Sequence, residues 1–229
     1  MKIDQAEIAA PASRETPTTA PGSLTPRSGY LAPRLAQLVA GLTAFGFSIA
    51  MVVHAGLGVS PWDVLSQGLA LATGWTFGLV TCAVGAVVLL AWWPLRTRPG
   101  IGTVLNVIIV GLAADLGLAV LARLPEPLPL AARVALLGGG VVLLALASGA
   151  YLAARLGPGP RDGLMTGLHD RFGWPIAVAR AVVELSVLGL GWALGGDVGL
   201  GTLAFALLVG PLCGLTIPWF AGRAPWLRV

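Results

Sequence analysis

Few side chains in this sequence can do chemistry, and most of them interrupt stretches that are otherwise apolar. Asp63 follows Ser60-Pro61-Trp62, and Asp162 follows Gly159-Pro160-Arg161. Arg180 and Glu184 stand four residues apart, the spacing that sets an ion pair on one face of a helix. Asn106 and Asp115 fall together in another apolar run. Ionisable groups at membrane depth are costly, and they are found in substrate, ion and proton pathways. A carboxylate there favours a cation or a proton, whereas a guanidinium or a helix N-terminus favours an anion. On this reading Ser60, Trp62, Asp63, Arg161 and Asp162 line a substrate-binding or translocation site. Arg180, Glu184 and Asp115 would serve as coupling or gating charges, with Asn106 on the same helix as Asp115.

Each of these residues also has a plainer role. Ser60 can cap a helix whose first residue is Pro61, with Asp63 third, which is close to a capping box. Gly159, Pro160 and Asp162 repeat that arrangement. Arg180 with Glu184 can be an internal tie between helices, Asp115 can be solvated near a helix end, and Asn106 can hydrogen-bond a neighbouring helix.

The elements that must position these groups follow from composition. Mean hydropathy is +0.86, and 56% of residues are hydrophobic against 10% charged, which excludes an ordinary soluble domain. Apolar runs of roughly 20 residues recur, the length that crosses a hydrocarbon core, and in lipid such runs are helical. Six are expected, near 35–53, 75–93, 102–122, 134–153, 174–194 and 201–218. Residues 1–29 carry Pro, Thr, Ser and scattered charge with no apolar run, so a disordered cytoplasmic tail without a signal peptide is expected there.

The chain repeats itself at an interval of 99 residues. Aligning 30–119 with 129–218 without a gap gives 27 identities in 90 positions, and they fall at punctuation. Arg34 matches Arg133, Gly74-Trp75 matches Gly173-Trp174, and Gly100-x-Gly102-Thr103 matches Gly199-x-Gly201-Thr202. The expected organisation is repeat 1 over 30–122, a loop at 123–128, repeat 2 over 129–221 and a short tail at 222–229.

Three crossings per repeat, an odd number, make the two repeats inverted. The distribution of basic residues agrees. With both termini inside, eleven Lys and Arg fall on the inner face and only Arg123 and Arg133 on the outer, a better segregation than an eight-span arrangement gives. The expected fold is therefore all-α and polytopic, six transmembrane helices as two inverted three-helix repeats, each with a short extra break helix. The seven residues from His54 to Ser60 reach the bilayer midplane if extended at about 3.3 Å each. Pro61 to Thr73 returns about 20 Å as a helix. The break helices are thus either re-entrant, as in transporters with discontinuous helices, or interfacial, with Trp62 as a headgroup anchor.

Other chemistries find little support. The Gly-x-Gly-Thr segments lack the lysine and preceding strand of a phosphate loop and read as helix starts or close packing. Cys82 and Cys213 are not equivalent in the repeat, and His54 and His169 stand singly, so no metal or cofactor is expected. Ser60, Ser66, Ser148 and Ser186 have no His and acid arrangement, so an enzyme is not expected. The net charge of +4 lacks the aromatic-studded basic stripe of a nucleic-acid binder.

The order Gly-x-Ser-Pro-Trp-Asp, then Gly100-Ile101-Gly102-Thr103-x-x-Asn106, then Gly157-Pro158-Gly159-Pro160-Arg161-Asp162-Gly163-Leu164-Met165, then Arg180 with Glu184, resembles the YczE/YyaS/YitT-like bacterial integral membrane proteins. The resemblance covers about residues 30–220 and is closest to the YczE branch, without the C-terminal soluble domain of YitT-type members. It implies a multi-pass protein of the bacterial cytoplasmic membrane. The function expected is a small secondary transporter or permease whose partners are the lipid bilayer and a small molecule or ion. Self-association is left open. The competing expectation is a membrane protein that does not transport but assists or regulates a partner, such as an assembly or secretion factor.

Overall fold

The computed structural model describes residues 30–224. The tail expected over 1–29 and the end of the C-terminal tail, from 225 on, lie outside the described residues. Among the described residues there are eight α-helices and no strand: α1 (Leu31–Ala55), α2 (Pro61–Thr73), α3 (Phe77–Leu95), α4 (Ile101–Leu121), α5 (Leu130–Ala153), α6 (Pro160–Phe172), α7 (Ile176–Ala193) and α8 (Leu200–Arg223). All but α2 and α6 are long and apolar enough to cross a membrane, six in total. The fold is all-α, with two short helices at the breaks.

Local chemistry sets the boundaries. α1 runs past His54 to Ala55 because nothing before Gly56 stops it. Gly56 then turns left-handed at φ +57° and its N–H closes onto the Val53 carbonyl. The linker into α2 is therefore five residues, 56–60, shorter than the seven expected. Ser60 is extended and caps α2 by accepting from the Asp63 N–H at 3.4 Å, Pro61 takes the first position, and left-handed Gly74 ends the helix. In α6 Gly159 is likewise extended and Pro160 takes the first position, but no side chain caps the helix; left-handed Gly173 ends it. α8 was expected to stop near Pro218 but continues through it to Arg223. Proline removes one backbone bond and kinks a helix, and inside a membrane a helix still leaves fewer backbone groups unpaired than any alternative.

α1 and α5 form the central pair. Arg34, in the first turn of α1, donates to the carbonyls of Ala154 and Arg155 just past the end of α5, both at 2.9 Å. Arg133, in the first turn of α5, donates to Ala55 at 2.7 Å and to Gly56 at the end of α1. The two helices therefore run antiparallel, each start clasping the other's orphan carbonyls. Leu38, Leu42, Ile49, Leu144 and Tyr151 fill the core between them.

The remaining contacts come in reciprocal pairs. α1 packs on α4 as α5 packs on α8, and α2 packs on α7 as α6 packs on α3. The Gly-x-Gly-Thr segments are close-packing sites. The Gly102 N–H donates to Leu156 O at 2.7 Å, and the Gly201 N–H to Leu57 O at 2.6 Å. A Cβ on Gly58 would come within 2.5 Å of Gly199, and one on Gly157 within 2.6 Å of the Thr103 hydroxyl.

One contact has no equal counterpart. α3 packs against α4, yet α7 and α8 have no contact of comparable extent. At the α3–α4 seam Gly78 lies against Gly111, where a Cβ would stand 2.1 Å from the Gly111 carbonyl oxygen. Asp115 accepts from the Thr76 hydroxyl at 2.5 Å and the Gly78 N–H at 2.6 Å, stapling the start of α3 to α4. In the second half Pro175, Ala177, Glu184 and Gly214 stand where the first has Thr76, Gly78, Gly85 and Asp115. The staple has no second half, and a charge occupies the would-be interface.

Candidate functional site

The N-termini of α2 and α6 face each other across a cavity of about 670 Å³ in the bundle. Each short helix starts buried and ends exposed: Trp62 and Pro160 are buried, whereas Leu71 and Phe172 are exposed. Trp62 is 5% exposed, so it is not the headgroup anchor of the interfacial alternative.

Among the described residues Asp63 is the most enclosed charge, 2% exposed at the start of α2. The capping work at this helix is done by Ser60. The Asp63 carboxylate does not complete a capping box; its Oδ2 accepts the Ser60 hydroxyl at 2.5 Å. Its Oδ1 has no hydrogen-bond partner. Arg161, from the facing helix, lies 3.6 Å from that oxygen, an ion pair without a hydrogen bond. The same guanidinium sits 5.0 Å from the Trp62 ring centre, a cation–π distance. Two further buried polar atoms in the lining, Trp62 Nε1 and Ser66 Oγ, are also without partners.

Asp162 opens into the cavity. The Tyr151 hydroxyl approaches it from α5, and Arg161, Arg180 and Glu184 share its electrostatic field. The Gly159 backbone marks where these groups converge, because a Cβ there would lie 3.2 Å from the Tyr151 hydroxyl, 3.4 Å from Asp162 Oδ2 and 3.9 Å from Asn106 Nδ2. Arg180 Nε donates to Glu184 Oε1 at 2.9 Å along α7. That pair is not sealed, since the Arg180 side chain is 56% exposed. Acidic and basic groups thus alternate from Asp63 through Arg161, Asp162 and Arg180 to Glu184.

Of the residues singled out in the sequence, Ser60, Trp62, Asp63, Asn106, Arg161, Asp162, Arg180 and Glu184 all line this cavity. Asp115 does not; it is the staple at the start of α3. Sequence reasoning assigned no site role to Tyr151 or Thr81, and weighed Ser66, Ser148 and Cys213 only for catalysis or metal binding; all five line it too. Tyr151 left a signal, as one of only two tyrosines, placed in a span where the other repeat has Val52. The rest of the wall is apolar, including Phe45, Val88, Leu144, Phe205 and Val209. Wide apolar walls with a few convergent polar groups are the usual form of a small-molecule site.

The model of a family described as "Family of unknown function (DUF6198)" matches residues 32–218, most of the chain and all of the cavity. The chain belongs to this family. An "Uncharacterized protein" of Haemophilus influenzae is 42% identical over 177 residues, 76% of this chain and 78% of that one. The "Uncharacterized membrane protein YczE" of Bacillus subtilis is 32% identical over 182 residues, 78% of this chain and 83% of that one. The "Uncharacterized protein YyaS" of the same organism is 28% identical over 179 residues, 78% and 89% of the two chains. The resemblance to YczE and YyaS read from the motifs holds. No solved structure matches the chain. The protein is a multi-pass membrane protein with six apolar helices.

Proposed function

We propose that this protein is a secondary transporter or permease for a small solute, resident in the bacterial cytoplasmic membrane and without enzymatic activity. The observation that carries the reading is the meeting of two break-helix N-termini at a cavity that holds five charged side chains. Charges inside a helical bundle are expensive to keep. Two of these, Asp63 and Asp162, occupy equivalent positions in the two repeats, and the Asp63 side chain is not needed to cap its helix. Discontinuous helices that bring their N-termini to a central site are how many secondary transporters hold substrate.

The antiparallel α1 and α5 and the reciprocal Arg34 and Arg133 clasps support two repeats related by inversion across the membrane. The bias of Lys and Arg supports both termini on the cytoplasmic side. The break helices then act as re-entrant halves, starting in the bundle and ending at its edge, and alternating access becomes a rocking of one half against the other around the Asp63–Arg161 contact.

The test is solute uptake or counterflow in proteoliposomes, screened over a chemically diverse panel. Asp63→Asn and Asp162→Asn are each expected to lower transport at least about a hundredfold while leaving a folded, monodisperse protein. The reading fails if no solute accumulates above empty vesicles, or if both variants transport as well as the parent. A protein that carries nothing but co-purifies with a membrane partner would belong to the assisting class instead.

A further inference from the structure

We infer that Asp63, Trp62 and Ser66 form a recognition site for an organic cation, a primary ammonium or a guanidinium, and that Arg161 occupies it as a tethered competitor. The inference rests on the transport reading above and gives it a substrate class.

The argument begins with what Arg161 does and fails to do. It sits at the position in α6 equivalent to Trp62 in α2, so the repeats have exchanged an aromatic ring for a cation at one site. Its guanidinium leaves its own helix and crosses to the other repeat, where it reaches the two features that recognise a cation: the Trp62 ring at 5.0 Å and the Asp63 carboxylate at 3.6 Å. A settled structural arginine would hold that carboxylate in a bidentate fork at hydrogen-bond distance. Arg34 and Arg133 show how this chain makes settled arginines, each with two of its nitrogens donating to backbone carbonyls. Arg161 stands 3.6 Å from Asp63, beyond a settled hydrogen bond, and its side chain is 31% exposed.

The site it covers is built and incomplete. Asp63 Oδ1, Trp62 Nε1 and Ser66 Oγ are buried polar atoms without partners, on residues that are 2%, 5% and 1% exposed. Leaving such atoms unpaired is costly, most of all for a charge. A ligand cation within hydrogen-bond distance of Asp63 Oδ1 supplies the partner that Arg161 does not, and the Trp62 and Ser66 side chains lie in the same cavity lining. Arg161 is then displaced into the cavity, where Asp162 is the next carboxylate in line. When the solute leaves, Arg161 returns and keeps Asp63 from standing buried and unpaired. The site is thus never without a positive charge, and the resting protein is held in the conformation that the solute must compete for.

The experiment is chemical rescue on the full-length protein in lipid nanodiscs, with methylguanidinium and n-butylammonium as probes. Arg161→Ala is expected to lower the melting temperature, and millimolar methylguanidinium is expected to restore most of the loss, with tetramethylammonium and sodium at equal ionic strength restoring none. The double variant Arg161→Ala, Asp63→Asn is expected to lose the rescue. In direct binding, Arg161→Gln is expected to bind n-butylammonium at least about tenfold more tightly than the parent, because the tethered competitor is gone. The inference is overturned if methylguanidinium rescues no better than sodium, if rescue persists without the Asp63 charge, or if Arg161→Gln binds no more tightly than the parent. Uptake of a neutral or anionic solute that depends on Asp63 and is indifferent to both probes would overturn it while leaving the permease reading intact. Absence of uptake for every solute, with rescue still observed, would do the reverse.

Discussion

The two repeats build the same pair of helices and join only one of them. In the first, α3 and α4 meet along a seam of small residues, Gly78 on Gly111 and Gly85 on Val107, and Asp115 ties the start of α3 across it. In the second, α7 and α8 have no contact of comparable extent, and Arg180, Glu184, Phe205, Val209 and Cys213 line the space between them and the central helices. The difference follows from four exchanges at equivalent positions. Losing the Asp115 carboxylate and the Thr76 hydroxyl removes the staple. Gaining Glu184 in place of Gly85 puts a charge where a backbone should approach. A duplicated scaffold has thus been closed on one side and left open on the other by side-chain choice alone. The open side is the one that carries the Arg180–Glu184 pair.

The largest expected effect tests the seam itself. Gly111→Ala puts a methyl group 2.4 Å from the Gly78 carbonyl oxygen, a backbone atom that cannot turn away. Overpacking of this kind costs about 1–3 kcal/mol, so the melting temperature in detergent should fall by several degrees. The equivalent change in the second repeat, Gly210→Ala, meets nothing within 4 Å and should stay within about 0.5 kcal/mol of the parent. Equal losses at the two sites would mean that α7 and α8 close over Gly210 in the membrane, and the contrast between the repeats would be lost.

Next comes the staple. Asp115→Ala leaves the Gly78 N–H and the Thr76 hydroxyl without their acceptor. Removing a helix N-terminal acceptor costs about 0.5–2 kcal/mol. Loss of stability without loss of transport per folded molecule is the expected result, since Asp115 does not line the cavity. Abolished transport in a protein of unchanged melting temperature would return Asp115 to the coupling role its sequence position suggested.

How much of this was legible in the sequence depends on whether a residue agrees with its counterpart 99 positions away. Where the repeats agree, at Arg34 and Arg133, Gly58 and Gly157, Thr103 and Thr202, the residues turn out to be scaffold: clasps, close approaches and helix starts. These positions, with the apolar spans, made the fold readable. Several positions where the repeats differ at a polar residue line the cavity: Trp62 against Arg161, Thr81 against Arg180, Gly85 against Glu184, Val52 against Tyr151. Asp63 and Asp162 agree and are still in the site, because both repeats contribute a helix start to it. Asp115 differs from its counterpart and is scaffold, because it builds the seam the second repeat lacks. Such exceptions cannot be sorted by spacing. Whether Asp115 faces a cavity or caps a neighbour depends on which helices pack, and the packing of α3 on α4 is decided by glycines that look alike throughout this chain. The linker was misjudged for a related reason: His54 is polar enough to suggest an end to α1, but a helix persists until the backbone finds an alternative, and here that is Gly56.

The smallest perturbation reads the same contrast without disturbing the fold, because the chain carries one cysteine on each side. Cys82 belongs to the seam, with its thiol 3.7 Å from the Ile108 carbonyl and against Gly111, and it is absent from the cavity wall. Cys213 lies on α8 within the cavity wall. Both are only partly buried, so general exposure does not separate them. A charged, water-soluble thiol reagent reaches a thiolate only through water, and of the two cysteines only Cys213 borders the charge-lined cavity. In the native protein Cys213 should therefore be modified at least about tenfold faster than Cys82. Cys213→Ala should remove most of the rapid labelling and Cys82→Ala almost none, as read by intact mass. A solute that fills the site should slow the Cys213 reaction and leave Cys82 unchanged. If Cys82 reacts first, the α3–α4 seam opens and the α7–α8 side is the closed one, which would reverse the contrast of closed and open sides between the two repeats.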